Sequence, residues 1–519
     1  MTSVGVFQWL VSSPSSIVAA VVALVLARAV AKAIYNVFFH PLRDFPGPLL
    51  LGMSRLPYCW KLLRGNLPYD MLGLHEAYGD VVRIAPDELA FSCTAAWKDI
   101  MGHNPTGQEL AKSKIFYRPV EDSPVNITNA EREEHGVLRR HMAHGFSEKS
   151  MRRQEPLIKV YVDLLIQRLR ENCAAGSKAL DLTAWYNWTT FDIIGDLAFG
   201  EPFGCLENSE YHPYVRMIFD TARACTVFQS VGFYPILNKI FWAMIPRSAM
   251  TRLVKQTQLS MDKLRRRMQP GNERSDLIEG LLRNKDELVS LTRIILFGFF
   301  LISFSQNLSL ENLQSNSNIL IMGGSETTAT LLAGVTYLLL SNPTTLRKLT
   351  EEVRSTFNDE SEINITSVSQ LEYMLACLNE AMRVYPAVPT GLPRVVPSNG
   401  HTILGRHIPE KTYVAIHHWA VYHDQRHFTD PHSFHPERFL GDTRFANDNF
   451  DVLQPFNVGP RNCIGRNLAY AEMRVILARV VFNFDMQIAE ESKGWMERQK
   501  IFLFWQKLPL NVHLTPVKA

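Results

Sequence analysis

Hydrophobic and polar residues recur along most of the chain with the period of an amphipathic helix. From about Glu131 to Asn342 the pattern is mostly helical, as in Leu157 to Leu169, where apolar residues fall on one face. Short apolar and β-branched runs bounded by turn residues predict strands at Val81 to Phe91, Arg394 to Ile408 and Phe502 to Leu514. The expected fold class is therefore mainly α with small β-sheets.

The N-terminal stretch is apolar and has no charged side chain before Arg28. Its apolar run, Ile17 to Ala27, is shorter than the roughly 20 residues that a spanning helix needs. The predicted helix therefore takes in Phe7 to Val11 or continues past Arg28. Basic residues follow on the C-terminal side, at Lys32 and Arg43, which predicts a single-pass anchor with the remaining chain in the cytosol. A cleaved signal peptide is the alternative, disfavoured because no basic side chain precedes the run.

One globular body is expected after the anchor. Pro41 and the segment Phe45-Pro46-Gly47-Pro48 cannot continue a helix and predict a stiff connection. No flexible linker, low-complexity tract or repeat follows, so we expect residues 1–40 to be the anchor with its flank and residues 41–519 to be one catalytic domain. The net charge of +3 is small, and basic and acidic residues are interleaved along the chain. This pattern argues against nucleic acid as a partner.

The seven cysteines include no CxxC pair, which argues against zinc sites and a disulfide framework. Cys463 stands apart because it lies in a glycine-flanked loop, Phe456 to Gly465, directly before the amphipathic run Leu468 to Phe484. Backbone amides at a helix start lower the pKa of a thiol and hydrogen-bond its sulfur. This pattern predicts a thiolate ligand that Phe456 shields from water.

Two further patterns lie upstream of this loop. Glu380 and Arg383 share one face of a predicted helix and can pair, an exposed ion pair being the alternative. The segment Gly323 to Thr328 interrupts a helical pattern running from Ser309 to Leu340. Glycine costs about 1 kcal/mol against alanine in a helix, and the hydroxyl of Thr327 competes for backbone carbonyls. A locally loosened helix is predicted, with a simple helix-crossing kink as the alternative.

Together these motifs resemble the cytochrome P-450 family. The cysteine loop matches FxxGxRxCxG at every fixed position, Glu380 to Arg383 resembles ExxR, and His435 to Phe439 resembles the PERF segment. The resemblance implies that family's fold, a single large haem domain, with haem b as cofactor and Cys463 as the axial thiolate ligand of its iron. It also implies haem-propionate contacts by four basic residues: Arg461, Arg394, Arg139 and His135, the last replacing the family's usual tryptophan.

The resemblance assigns roles to the remaining motifs. Arg438 would complete a buried structural network with Glu380 and Arg383. The segment Gly323 to Thr328 resembles the family's central-helix motif, in which an acid and an alcohol deliver protons to bound dioxygen. Glu326 stands where many relatives have aspartate, and Thr327 matches the alcohol.

The likeness is to membrane-bound fungal enzymes of secondary metabolism, similar to trichothecene-pathway hydroxylases. It implies a monooxygenase of the endoplasmic reticulum membrane that takes an apolar small molecule, O2 and electrons from an NADPH-cytochrome reductase. A haem-thiolate isomerase or dehydratase is the first alternative, disfavoured by the intact Glu326–Thr327 pair, and a haem sensor without enzymatic activity is the second. The expected substrate-lining segments are the loop before Glu131, Phe219 to Trp242, the region below Gly324 and Ala387 to Leu392.

The run Ile294 to Phe304 is almost wholly apolar where related sequences have a short polar loop. It is too short to span a bilayer. A second membrane contact is one interpretation. The preferred hypothesis is that Val289 to Gln306 is a translated, unspliced intron, because Val-Ser and Gln codons match plausible splice borders and the segment is in frame. No glycans are expected at the cytosolic Asn-x-Ser/Thr sequons at Asn126, Asn187, Asn307 and Asn364.

Overall fold

The structure is a computed structural model that describes residues 14–103, 109–119, 123–269, 274–283 and 309–517. The segment Val289 to Gln306, to which the intron hypothesis refers, lies outside the described residues, as does the sequon at Asn307.

The N-terminal helix α1 spans Pro14–Phe38. The most apolar 18-residue window between Ser15 and Phe38 has a mean hydropathy of 2.3, and none of that window is buried against the rest of the chain. The helix continues past Arg28 and Lys32, which is the second of the two extensions considered from sequence. Its length and apolar surface suit a membrane anchor.

The joint between α1 and the body is packed. Asn36, near the end of α1, is 3% exposed and donates from Nδ2 to the carbonyl of Met53 at 2.9 Å. Leu42 is fully buried, and the amide of Arg83 donates to the carbonyl of Pro46 at 2.7 Å. A Cβ at Gly47 would lie 2.4 Å from the Arg83 carbonyl oxygen, so only glycine fits this approach. The predicted stiff connection is thus docked onto the body.

The body is dominated by helices. Those before the long central helix are α2 Leu49–Met53, α3 Leu56–Leu63, α4 Leu67–Tyr78, α5 Thr94–Met101, α6 Lys114–Tyr117, α7 Arg132–Ala143, α8 Glu148–Asn172, α9 Leu182–Phe199, α10 Cys205–Asn208, α11 Pro213–Gly232, α12 Pro235–Met244, α13 Arg247–Arg267 and α14 Glu279–Arg283. The later ones are α15 Leu310–Ser341, α16 Pro343–Thr356, α17 Glu372–Val384, α18 His418–Tyr422 and α19 Arg466–Asn483.

The strands form small sheets at the edge of the helical body. They are β1 Val81–Ala85, β2 Glu88–Phe91, β3 Ala111–Lys112, β4 Ala179–Asp181, β5 Arg394–Val395, β6 His401–Ile403, β7 Arg406–Ile408, β8 Tyr413–Ile416, β9 Phe484–Ile488, β10 Lys500–Ile501, β11 Trp505–Gln506 and β12 Asn511–Pro516. The largest sheet has the order β1-β2-β8-β5-β3, and β12 lies between β4 and β9 in another. The mainly α fold with small sheets is confirmed.

The central helix α15 organises the core. Ser309 caps it by accepting the amide of Asn312 on its side chain, and the helix then runs unbroken through Gly323 to Thr328 to Ser341. It packs against α9 and α19. A Cβ at Gly324 would lie 2.7 Å from Cδ1 of Ile194 in α9, so this glycine permits close helix packing. The predicted helix is confirmed. Two hydroxyls of the segment donate to backbone carbonyls one turn back, Ser325 to Ile321 and Thr327 to Gly323, and the helix is not otherwise interrupted.

Candidate haem-thiolate site

Cys463 lies between a 3-10 turn at Gly459–Arg461 and the start of α19. Its amide donates to the carbonyl of Phe456 at 2.8 Å, which closes the loop. Gly459 has φ +75°, and a Cβ there would lie 1.9 Å from the carbonyl oxygen of Met101. The loop therefore needs glycine at this position both for its backbone angle and for its contact with the end of α5.

The thiol of Cys463 is exposed within this loop. Desolvation by the surrounding protein raises the pKa of the thiol, and the amide of Gly465 and the charges of Arg139 and Arg466 lower it by less. The sequence-based expectation of a lowered pKa is therefore wrong for the protein alone, because desolvation outweighs the helix-start amide. A metal ion would reverse this balance, since a coordinating thiol is deprotonated outright.

Phe456 begins the cysteine loop. Its ring packs against Tyr470 of α19, with 5.3 Å between the ring centroids. The guanidinium of Arg466 lies 5.7 Å from the centroid of the Phe456 ring. The ring is thus held on the first turns of α19 rather than free in solvent.

Two of the predicted propionate contacts meet at one carboxylate. Arg461 Nε and Arg394 Nη1 lie 2.8 and 3.2 Å from the same oxygen, Oε1 of Glu109. Burial raises the pKa of Glu109, but hydrogen bonds and charges from the two arginines outweigh it and hold that pKa below its usual value. Burial, with the charges of Arg394 and Arg461, lowers the pKa of the neighbouring Lys112 well below its usual range. The two arginines outnumber the one carboxylate, and their excess positive charge disfavours a further charge on Lys112.

The other two predicted contacts line an open recess of about 530 Å³ beside the cysteine loop, together with Glu109 and Asn462. Arg139 donates from Nη1 to the carbonyl of Asn462 at 2.7 Å and from Nη2 to its side-chain oxygen, so it braces the loop. His135 is buried, and desolvation, followed by the charge of Arg461, lowers the pKa of its imidazole to about 3. At neutral pH His135 is therefore an uncharged hydrogen-bonding group.

These residues fit a haem. The thiol of Cys463 is accessible in a loop that glycine holds close to α5, as an axial ligand requires. Two guanidinium groups on one oxygen of Glu109 leave positive charge that anionic propionates would neutralise. The donor set thus combines a soft thiol for iron with hard cationic groups for carboxylates.

Glu380 and Arg383 form a fully buried, bidentate pair in α17, with both N–O distances at 2.8 Å. Arg438 lies 3.3 Å from the same carboxylate and also contacts Asp448. The remaining donors of Arg383 are satisfied by backbone carbonyls, which are those of Tyr422, Pro431 and Ser433. The alternative of an exposed ion pair is therefore wrong. The buried pair holds α17 against the segment that leads toward the cysteine loop.

The acid and alcohol of α15 point in different directions. Thr327 is half-buried and lies on the helix face that also carries exposed Gly323 and half-buried Ile319. Glu326 is 3% exposed and its Oε1 lies 2.7 Å from Nζ of Lys507. The other oxygen, Oε2, is buried and makes no hydrogen bond within the part of the chain that the structure describes.

Sequence reasoning missed Glu109, Lys507 and Asp448 as partners of the predicted residues. Glu109 and Arg461 are far apart along the chain, as are Lys507 and Glu326, and no spacing rule links them. Asp448 follows the PERF segment closely, and its charge next to Arg438 was the available signal.

The sequence profile of the family described as Cytochrome P450 matches residues 51–513. Cytochrome P450 monooxygenase tpeC of Talaromyces stipitatus is 49% identical over 492 residues, covering 94% of this chain and 92% of that protein. Cytochrome P450 monooxygenase prhB of Penicillium brasilianum is 46% identical over 487 residues, covering 94% and 96%. Trichothecene C-15 hydroxylase of Fusarium sporotrichioides is 43% identical over 485 residues, covering 93% and 95%.

Proposed function

This chain belongs to the cytochrome P450 family, and we propose that it hydroxylates or otherwise oxidises an apolar small molecule of fungal secondary metabolism with electrons from an NADPH-dependent reductase. Enzymes of this family are oxygenases that use haem iron, a cysteine thiolate ligand, O2 and a redox partner. The named hydroxylase among the relatives supports oxygen insertion as the reaction.

Cys463 is the proposed axial ligand, and Arg461, Arg394, Arg139 and His135 are the proposed propionate contacts. When bound, the haem supplies the oxygen activation that no side chain can perform. The guanidinium of Arg139 holds the cysteine loop through Asn462. The network of Glu380, Arg383 and Arg438 is proposed to keep the surrounding core in place without touching substrate.

The pair Glu326–Thr327 on α15 is the observation that carries the proposal of oxygen activation. The Thr327 hydroxyl now donates to the carbonyl of Gly323 at 2.6 Å, and it can instead donate toward a ligand on the open helix face. Glu326 holds a proton site, Oε2, that no described group occupies. An isomerase or dehydratase that rearranges a peroxide needs no such proton delivery, nor does a haem sensor.

The membrane location is part of the same proposal. Helix α1 is proposed to span the endoplasmic reticulum membrane once, with the body in the cytosol beside the reductase. The exposed apolar surface of α1 supports insertion, and the basic residues after its apolar run support this orientation. Two of the sequons are poorly placed for glycosylation of the folded chain, because Asn187 is 1% exposed and Asn364 accepts two backbone amides on its side chain.

The deciding experiment uses the full-length holoenzyme with purified NADPH-cytochrome reductase and ¹⁸O2. The substrate is drawn from metabolites that accumulate when the gene is deleted. We expect NADPH consumption to depend on substrate and one ¹⁸O atom to enter the product. Product formed from a hydroperoxide without reductase would identify an isomerase or dehydratase instead, and haem binding without turnover of any accumulated metabolite would favour a sensor.

A further inference from the structure

The buried carboxyl of Glu326 is held by a lysine from a distant part of the chain. Lys507 follows β11 near the C-terminus, whereas Glu326 lies in the middle of α15. Lys507 Nζ and Glu326 Oε1 are 2.7 Å apart, and each side chain is 4% exposed. A carboxylate removed from water needs such a partner, because an isolated buried charge is strongly disfavoured.

Lys507 also donates hydrogen bonds to two neighbouring helices. Its ammonium donates to Thr330 Oγ1 of α15 at 2.9 Å and to Asn187 Oδ1 of α9 at 3.2 Å. The Asn187 amide in turn donates to the hydroxyl of Tyr211 at 3.2 Å. Side chains of α15 and α9 thus hold the ammonium group, and Tyr211 holds Asn187 in turn, which is the arrangement expected of a preorganised polar cluster.

The two carboxylate oxygens of Glu326 are therefore unequal. Oε1 is held by Lys507, whereas Oε2 is buried without a hydrogen bond among the described residues. A buried acceptor left in this state is costly and needs an explanation. Holding a proton in transit is one function that requires an unoccupied oxygen.

Burial and neighbouring charges shift the pKa values of both Glu326 and Lys507. Burial raises the pKa of Glu326, and the charge and hydrogen bond of Lys507 oppose that rise. Burial lowers the pKa of Lys507, opposed by Glu326 and by Asp181 of β4. Among the described residues, the phenols of Tyr211 and Tyr385 also feel the charge of Glu326. Lys507 is thus the cation that counters the desolvation of this acid.

We propose that Lys507 is a positioning residue for proton delivery, which keeps Glu326 anionic at rest and aims its free oxygen Oε2 as the atom that takes up and releases the proton. A proton arriving on Oε2 gives a neutral carboxyl. Because the two side chains face different sides of α15, that proton passes through water to Thr327 Oγ1 as the hydroxyl gives its own proton to the oxygen being reduced, which restores both the carboxylate and the hydroxyl. Lys507 keeps its three protons throughout. This inference rests on the proposed oxygen-activating function.

The first test reads the charge of Glu326 without turnover. Infrared difference spectra of the full-length holoenzyme at neutral pH would be compared for the wild type, Lys507→Met, Glu326→Gln and the double variant. We expect Lys507→Met to gain a protonated-carboxyl band that the wild type and the double variant lack. The same band in the wild type, absent from Glu326→Gln, would overturn the proposal.

The second test measures how much product forms per NADPH consumed. With substrate and reductase, Lys507→Met should lose about tenfold or more in product per NADPH, which is less than the roughly 10²–10⁴ of a whole positioned proton transfer because Glu326 itself remains. Lys507→Arg should recover most of it, and the exposed Lys500→Met on the neighbouring strand β10 should match the wild type. If Lys507→Met does not fold, a Lys507→Arg variant as uncoupled as Glu326→Gln would refute the role.

The two proposals fail in different ways. If the wild type makes no product with reductase and NADPH, the proposed function fails, while the infrared bands still report on the ion pair. If the wild type turns over and Lys507→Met is equally coupled, with an unchanged carbon monoxide spectrum, only the positioning role fails.

Discussion

Single residues of this protein derive their chemistry from the backbone and charges around them. Cys463 is one of seven cysteines, and what separates it from the others is a loop closed by its own amide and held against α5 by Gly459. The loop presents the sulfur, although desolvation keeps it protonated more strongly than a free thiol. Ligation to iron, as proposed for Cys463, would stabilise the thiolate.

Replacing Cys463 with serine should abolish the red-shifted carbon monoxide spectrum of the reduced protein, because a hydroxyl is a far weaker electron donor to iron. The control is Cys93→Ser, which changes a half-buried thiol before α5 and should leave the spectrum intact. A thiolate-type spectrum in Cys463→Ser would contradict the assignment.

Replacing Thr327 with alanine should leave haem binding unchanged and divert electrons to peroxide, because only the hydroxyl is lost and the helix loses no backbone hydrogen bond. Product per NADPH should fall by about tenfold or more. Thr327→Ser keeps the hydroxyl and is the matched control. Hydrogen peroxide and product are both measured, and coupling equal to the wild type would count against the alcohol role.

Replacing Arg383 with alanine should destabilise the protein by about 3 to 5 kcal/mol, because Glu380 would remain fully buried without its main cation. Haem content and the denaturant midpoint measure the effect. Arg152→Ala removes the exposed partner of Glu148 and should change neither. A stable, haem-replete Arg383→Ala protein would show that Arg438 alone can hold the carboxylate.

At the scale of elements, the long helix α15 was the easiest to predict. Its apolar pattern, its cap at Ser309 and the proline after Asn342 place both ends within a residue of those observed. The strands missed were β3, β4, β8, β9 and β10, because each is short and lacks a clear alternation of its own. β9 begins at Phe484, directly after α19, and the amphipathic run predicted from Leu468 to Phe484 assigns that first residue to the helix.

The candidate site was predictable to the extent that its residues lie in local motifs. Cys463, Glu380 and Arg383 lie in short motifs of fixed spacing, so the sequence alone points to them. The structure adds which atoms they contact. The roles of Glu109 and Lys507 could not be predicted, because each contacts its partner only through tertiary packing of segments far apart in sequence. The same packing reversed the expected pKa shift of Cys463, because desolvation depends on neighbours that a sequence does not place.

The apolar segment before α15 also yields a prediction at this scale. If Val289 to Gln306 is an unspliced intron, sequencing of the mature transcript should show Leu288 joined directly to Asn307. The predicted result follows from the in-frame splice borders and from the polar loop that the junction restores. A mature message that retains those codons would contradict the hypothesis, and the segment would then require a functional explanation.

At the scale of the whole molecule, removal of residues 1–40 should release the protein from membranes only partly. A second apolar surface lies on α12, where Ile236 is 76% and Met244 is 74% exposed. Leu56 and Trp60 of α3 are also exposed, and α3 packs against α11, which directly precedes α12. Such a surface favours the interface between lipid headgroups and chains.

The measurement is flotation of the truncated protein with vesicles at low and high salt. In the truncated protein, Ile236→Asp with Met244→Asp should release the bound fraction, whereas Val160→Asp, an exposed apolar position on α8, should not. A truncated protein that is wholly soluble without detergent or high salt would eliminate the second contact.

The packed joint after α1 leaves the body little freedom to tilt on its anchor. Asn36 is still within α1 when it binds the body, and the chain is docked again at Leu42 and Pro46, so there is no slack segment between them. For an anchored chain, the remaining motions are lateral diffusion and spin about the membrane normal. Encounter with a partner in the same membrane is then a search in two dimensions with one face always presented, and lengthening the joint by a flexible insert should slow productive encounters without altering the site.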